Sequence, residues 1–324
     1  MMKKEMYLVD DFELIEKESM RDGFGQGLVE MARRNSQVMV VCADLKESTR
    51  VERFAEEFEE RFIEVGVAEQ NMVGVAAGPA LSGKIPFAVS YGVFSPGRSW
   101  DQLRVSVCYN NANVKIIGSH AGITVGEDGA THQALEDVAI SRVLPNLVVL
   151  APADAEEARK AVGEMISYQG PVYMRLNRNR TGVVTTKLTP FEIGKAQVWR
   201  EGNDISLFAS GAMVVEALKA AREVASEIDV EVVNVATIKP LDKDTLINSA
   251  SKTGLVITVE EHQIIGGLGS AVAELLTEEL PVKLKRLGMK DVFGESGSSD
   301  ELLYKYGLNY GGIILAIKEF KKNK

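Results

Sequence analysis

Short apolar, β-branched runs alternate with stretches of helical spacing along most of this chain, and no other feature narrows the fold so far. From residue 205 onward the alternation is clean. Strands are predicted at 205–209, 230–235, 255–260 and 282–287, with helices over 214–227, 243–252 and 269–278 and two more from Ser299 and Gly311. Strands separated by helices cross over and lie parallel, which predicts an α/β domain. The first half repeats the pattern less regularly. Strands fall at 38–43, 62–65, 86–91, 114–118, 146–150 and 171–176. Helical spacing covers 11–34 (Phe12, Leu14, Ile15, then Phe24, Leu28, Met31), 51–61, 69–81, 99–110 and 154–167, the last capped by Asp154 or the turn before it. Periodicity lapses at 182–192, where threonines gather before Pro190, and this marks a linker. The expectation is two doubly wound parallel-sheet domains, residues 1–185 and 192–324.

The 324 residues suffice for two such domains. A formal net charge of −9 without any Lys/Arg-rich run argues against nucleic acid or an anionic membrane as partner. Charged residues interrupt the first eleven positions, so they do not read as a secretory signal, and no apolar run approaches the roughly 18 residues of a membrane span. A soluble, cytoplasmic protein is expected. Cys42 and Cys108 lie in apolar or helix-like surroundings and read as buried thiols.

Chemistry concentrates at predicted strand ends. Asp44 and Ser48 follow the first strand, Glu69 begins a nearly all-apolar helix, and Tyr91 and Phe94 close another strand. Two of three histidines, His120 and His132, flank an acidic glycine-bracketed loop, Gly126-Glu127-Asp128-Gly129, while Arg178 follows a later strand and Arg21 lies early in the chain. In an open parallel sheet the strands' carboxyl ends face the ligand crevice. Imidazoles able to exchange protons near neutral pH, carboxylates and guanidinium groups together suit a polar, phosphorylated substrate. Alternatives fare worse. His120, Asp128 and His132 do not have common zinc spacing, and neither a GxSxG elbow nor a P-loop is present. Gly266-Gly267-Leu268-Gly269 lacks GxGxxG spacing and reads as a tight strand-to-helix turn. His262, just before it, could be packed or functional.

The stretches ADLKES (43–48), GVAEQNMVG (66–74) and SHAGITVGEDGATHQALED (119–137) resemble the pyrimidine-binding domain of transketolases, and EEHQIIGGLGSAV (260–272) resembles the family's C-terminal domain. The resemblance implies a thiamine diphosphate pyrimidine-binding domain followed by a transketolase C-terminal domain. No GDG-type motif of the family's diphosphate-binding domain occurs, so a split transketolase is implied. Its separate N-terminal-half subunit would hold the diphosphate and magnesium, with a heterotetramer as assembly. By that resemblance Glu69 hydrogen-bonds the cofactor's pyrimidine ring nitrogen, sharing a proton that favours the imino tautomer. Phe94, with Tyr91 close by, stacks on the ring, and Asp44 lies near the cofactor. His120 and His132 face the reacting carbons and the carbonyl oxygen. Asp128 reads a sugar hydroxyl, and Arg178, Arg21 and Ser48 take the sugar phosphate. The implied reaction is ketol transfer between ketose and aldose phosphates, as in the pentose phosphate pathway. A deoxyxylulose-phosphate-synthase-like half, a 2-oxo acid dehydrogenase β-type subunit and a non-catalytic partner subunit are the alternatives.

Overall fold

The computed structural model describes residues 2–9, 11 and 15–322. The first half runs β1 (Lys17–Ser19), α1 (Met20–Arg34), β2 (Val38–Cys42), α2 (Glu52–Glu57), β3 (Phe62–Glu64), α3 (Glu69–Leu81), β4 (Ile85–Tyr91) and α4 (Trp100–Gln102). Helix α4 continues in π-type turns, Leu103–Tyr109, before β5 (Lys115–Ser119), α5 (Asp137–Arg142), β6 (Val148–Leu150), α6 (Ala155–Ser167), β7 (Val172–Arg175) and β8 (Arg180–Gly182). The second half opens with β9 (Gln197–Arg200), β10 (Ile205–Ala209), α7 (Met213–Glu223), β11 (Val230–Asn234), β12 (Thr237–Lys239) and α8 (Lys243–Thr253). It closes with β13 (Leu255–Gln263), α9 (Leu268–Glu279), β14 (Lys283–Met289), α10 (Ser299–Lys305) and α11 (Tyr310–Lys322). Phe12 and Leu14, part of the pattern behind the helix expected over 11–34, lie outside the described residues; the helix begins at Met20.

Seven strands form one sheet, ordered β12-β6-β7-β5-β4-β2-β3, five form a second, ordered β14-β13-β10-β11-β9, and β1 pairs antiparallel with β8 in a small third one. Within the two large sheets all neighbours are parallel except at one edge of each, where β12 lies antiparallel to β6 and β9 antiparallel to β11. The fold is therefore α/β as expected, with antiparallel edges that the periodicity did not reveal. Thr237-Ile238-Lys239 is too short for alternation to register. This strand belongs by sequence to the second half but pairs with the first sheet, where Ile238 joins Val149 and Tyr173 in the core.

Parallel strands need both faces covered. On one face of the first sheet, α1 and α6 bury Phe24, Leu28, Val162 and Met165; on the other, α3 and the π-type turns bury Met72, Val73, Ala76 and Leu103. The first of these cores runs without a break into the second domain through Trp199, Leu207 and Val214. Each large apolar side chain so buried contributes roughly 1.5–3 kcal/mol, so the two domains share their main source of stability. Helices α8 and α9 close the far face of the second sheet with Leu246, Ala250, Val272 and Leu276. Helix α3 buries one side only: Gln70, Asn71, Gly74, Gly78 and Leu81 stay uncovered.

Candidate functional site

Because β2 to β5 are parallel, their carboxyl ends open on one side of the sheet. A cleft of about 460 Å³ lies there, lined among others by Asp44, Glu69, Tyr91, Phe94, Asp128 and His132. Four separate strand ends thus deliver residues that stand far apart in the sequence to one cavity.

Glu69 is the first residue of α3 and is 1 % exposed. A carboxylate stripped of water is costly unless paired. Its Oε2 accepts from Arg98 at 2.8 Å, and the arginine, 48 % exposed, also lies over the Phe94 ring at 4.5 Å. Two flat faces stand beside it. The rings of Tyr91 and Phe94 are 6.0 Å apart and nearly parallel, and His132 meets Phe94 edge-on at 5.5 Å. Asp44 is exposed, with left-handed backbone (φ 60°); its N–H is fixed by Glu64 Oε1 at 2.7 Å.

His120 lies behind this wall, its ring 3.8 Å from that of Tyr91, and is 3 % exposed. Burial first, then the nearby charges of Arg21 and Arg178, push its pKa down to about 2. This corrects the expectation of two imidazoles exchanging protons near neutral pH: His120 stays neutral there. Arg21 lies 3.4 Å from Nε2, and a guanidinium can only donate, so the ring proton sits on Nδ1, 3.0 Å from Ser119 Oγ.

Arg21 ties the remaining expected residues into a mesh. Its guanidinium donates to the carbonyl oxygen of Ser48 at 2.7 Å, that of Arg178 at 3.1 Å and Ser19 Oγ at 3.2 Å. Ser48 therefore meets Arg21 through its backbone. Arg178 donates to Val125 O at 2.7 Å and Glu127 Oε2 at 3.2 Å, with its side chain 38 % exposed. Burial draws the Arg21 guanidinium below its ordinary pKa, whereas Arg178 keeps part of its side chain open to solvent.

The loop joining these groups is bent by residues in the left-handed region: His120 (φ 54°), Gly122 (87°), Gly126 (82°) and Gly129 (73°). The glycine brackets in the sequence are thus conformational. At Gly122 the requirement is doubled, since a Cβ there would stand 2.2 Å from Glu261 Oε1.

Sequence reasoning missed one residue, and Arg98, which the resemblance brings in beside Phe94, gives no signal of its own until its neighbours are known. The missed residue, Glu261, does give one: it is the second of two acids that follow the mainly apolar run LVITV in one strand, and both are buried. Glu260 accepts from the N–H groups of Leu268 and Gly269 at 2.6 and 2.8 Å, so the glycine-rich turn before α9 is capped by the chain's own carboxylate. Burial pushes the Glu260 carboxyl up to about 7. His262 is packed between the domains. Its Nδ1 donates to Gln263 O at 2.7 Å, Nε2 accepts from Ala139 N–H at 3.4 Å, and burial draws its pKa down to about 4. Burial likewise pushes the Cys42 and Cys108 thiols up to about 12, as inert core residues. Among the described residues no cluster of three or more His, Cys, Asp or Glu could hold a metal ion, and no helix is long and apolar enough to cross a membrane.

Comparison with known proteins adds a family to this geometry. The transketolase pyrimidine binding domain matches residues 16–183, and the transketolase C-terminal domain matches residues 194–313. A putative transketolase C-terminal section of Methanocaldococcus jannaschii is 46% identical over 310 residues, covering 94% of this chain and 97% of the relative. A 6-deoxy-6-sulfo-D-fructose transketolase subunit of Clostridium sp. (strain MSTE9) is 43% identical, covering 96% and 97%. A solved structure described as a split gene transketolase, an inactive beta4 tetramer, is 45% identical, with a TM-score of 0.88 over 94% of this chain and 98% of that one.

Proposed function

This chain belongs to the transketolase family, with its pyrimidine-binding and C-terminal domains, and from that premise we propose that it is one half of a thiamine diphosphate-dependent transketolase. The reaction is transfer of a two-carbon ketol unit from a ketose phosphate to an aldose phosphate. The observation that carries this reading is Glu69, buried at the head of α3 and opening on the same cleft as the Phe94 and Tyr91 rings. A shielded carboxylate beside flat aromatic faces fits an aminopyrimidine: one group for a ring nitrogen, the others for the ring plane.

The chemistry the cofactor supplies when bound is a carbon nucleophile and an electron sink for breaking the bond beside a ketose carbonyl. This chain's residues orient and hold protons. Glu69 would offer a carboxylate oxygen toward the pyrimidine nitrogen while Arg98 keeps Oε2 paired, and Phe94 and Tyr91 would hold the ring. His120, neutral and fixed as the Nδ1 tautomer behind the Tyr91 ring, braces that ring and Arg21 at the donor-sugar end of the site. His132 and Asp128 face the sugar from the loop, and Arg178, with Arg21 and Ser48 behind it, answers the terminal anion through a planar donor fork. The Clostridium relative is named for a sulfo sugar, so the terminal anion this chain accepts is a sulfonate or a phosphate; we favour phosphate.

The diphosphate and magnesium belong, in this reading, to a separate N-terminal-half subunit. The uncovered side of α3 is our candidate subunit contact, within a heterotetramer. The test is co-expression with such a subunit, then assay with xylulose 5-phosphate and ribose 5-phosphate and a pyruvate control. Ketol transfer by the complex and none by the chain alone is expected. Turnover of pyruvate instead would replace the reading with a synthase or dehydrogenase activity.

A further inference from the structure

The loop that forms one wall of the cleft is held from behind by the second domain. Glu261, at the end of β13, reaches across the boundary with both oxygens: Oε1 accepts from the Thr124 N–H at 2.6 Å and Oε2 from Asn177 Nδ2 at 2.6 Å. Asn177 Nδ2 also lies 3.1 Å from Thr124 Oγ1. One carboxylate therefore joins two points of the first domain, four residues after His120 and one residue before Arg178. A second fastening lies nearby, where Ser299 Oγ donates to Thr124 O at 2.9 Å.

A residue placed there for packing alone would be apolar, since an acid that is 2 % exposed must recover its desolvation through specific donors. The donors it finds are a loop amide and the neighbour of a candidate anion ligand. Gly122 completes the match, because any side chain there would collide with the same carboxylate.

We propose that Glu261 is a positioning residue for the sugar-facing loop, setting the His120 and Arg178 ends of the site relative to each other. The inference rests on reading that loop as the substrate wall. It gives the second domain, which lines none of the cleft, a part in substrate recognition.

Glu261→Gln is the test: it keeps the volume but aims an amide NH2 at Thr124 N–H or at Asn177. Both donate, unless Asn177 turns over and gives up its bond to the Ala121 carbonyl oxygen. On the purified full chain, amides of residues 122–129 are expected to exchange hydrogen about tenfold faster than in the wild type, while those of β2 and β4 keep their rates. Unchanged exchange over 122–129 overturns the proposal whether or not the chain proves to be a transketolase. In the complex with an N-terminal-half subunit, the KM for the ketose phosphate should rise about tenfold with thiamine diphosphate affinity unchanged, because Glu69 and Phe94 are held by other elements. Equal loss of sugar and cofactor affinity, or a lower Tm with both intact, would make Glu261 a packing residue and defeat the proposal. A wild-type complex that transfers no ketol counts against the proposed function alone, and the exchange measurement still decides the role of Glu261.

Discussion

The wall of the cleft that carries Glu69 and Phe94 grows out of regular elements, the first turn of α3 and the end of β4. The facing wall, residues 120–132, is loop with short 3-10 turns at Ile123–Asp128, bent at four left-handed positions and fastened by a carboxylate from another domain. The first keeps its geometry through the core of its own sheet; the second borrows its geometry. A substitution on the regular wall should therefore change chemistry and leave the fold alone, whereas one on the loop should change both.

The largest expected effect lies on the regular wall. Glu69→Ala should lower ketol transfer by the reconstituted complex about 10³-fold, the scale of a lost general acid–base group, with the circular dichroism spectrum unchanged. Full activity in that variant would remove the catalytic assignment, and loss of fold would erase the contrast between the walls. On the loop, Gly122→Ala meets both a φ of 87° and the Glu261 oxygen, so urea titration should show a loss of about 3 kcal/mol. A neutral result would mean the loop is not held as described.

Phe94→Ala should weaken thiamine diphosphate binding by the complex about tenfold without shifting the urea midpoint of the free chain, since the side chain faces the cleft. An unchanged affinity would pass the stacking role to Tyr91. The smallest effect is a pH dependence from the loop. The folded pKa of His120 lies below the ordinary 6.5, so the unfolded chain binds the extra proton between that value and about 2, and stability falls as pH drops through this window. His120→Gln should flatten the acid limb of stability against pH by about 1 kcal/mol per pH unit, measured by urea midpoints. An unchanged slope would place the imidazole in water.

How much of this was legible in the sequence divides along the same line. Period and residue type foretold α3 and β4, because regular elements carry their geometry in local spacing. Of the polar groups expected to converge at strand ends, Asp44, Glu69, Asp128 and His132 line the cleft, whereas Tyr91 and Phe94 entered the site only through the resemblance. The loop's glycines were visible, but not why they were needed, since the reason for Gly122 is Glu261, 139 positions later. The neutral state of His120 was hidden for a similar cause: burial and the charges of Arg21 and Arg178 are set by tertiary contacts. The resemblance grouped Ser48 with Arg21, but local spacing could not tell that in the structure it is the Ser48 carbonyl, not its hydroxyl, that meets Arg21.

Strand β12 decides where this polypeptide can be divided. Severing the chain within 182–192 would leave an N-terminal fragment whose β6 offers a bare row of N–H and C=O groups to any passing strand, and a C-terminal fragment with Thr237–Lys239 unpaired. The boundary read from periodicity is a seam, not a hinge. Grafting either domain onto another scaffold would have to carry residues 237–239 with the first sheet, so the two domains are exchangeable only as a pair.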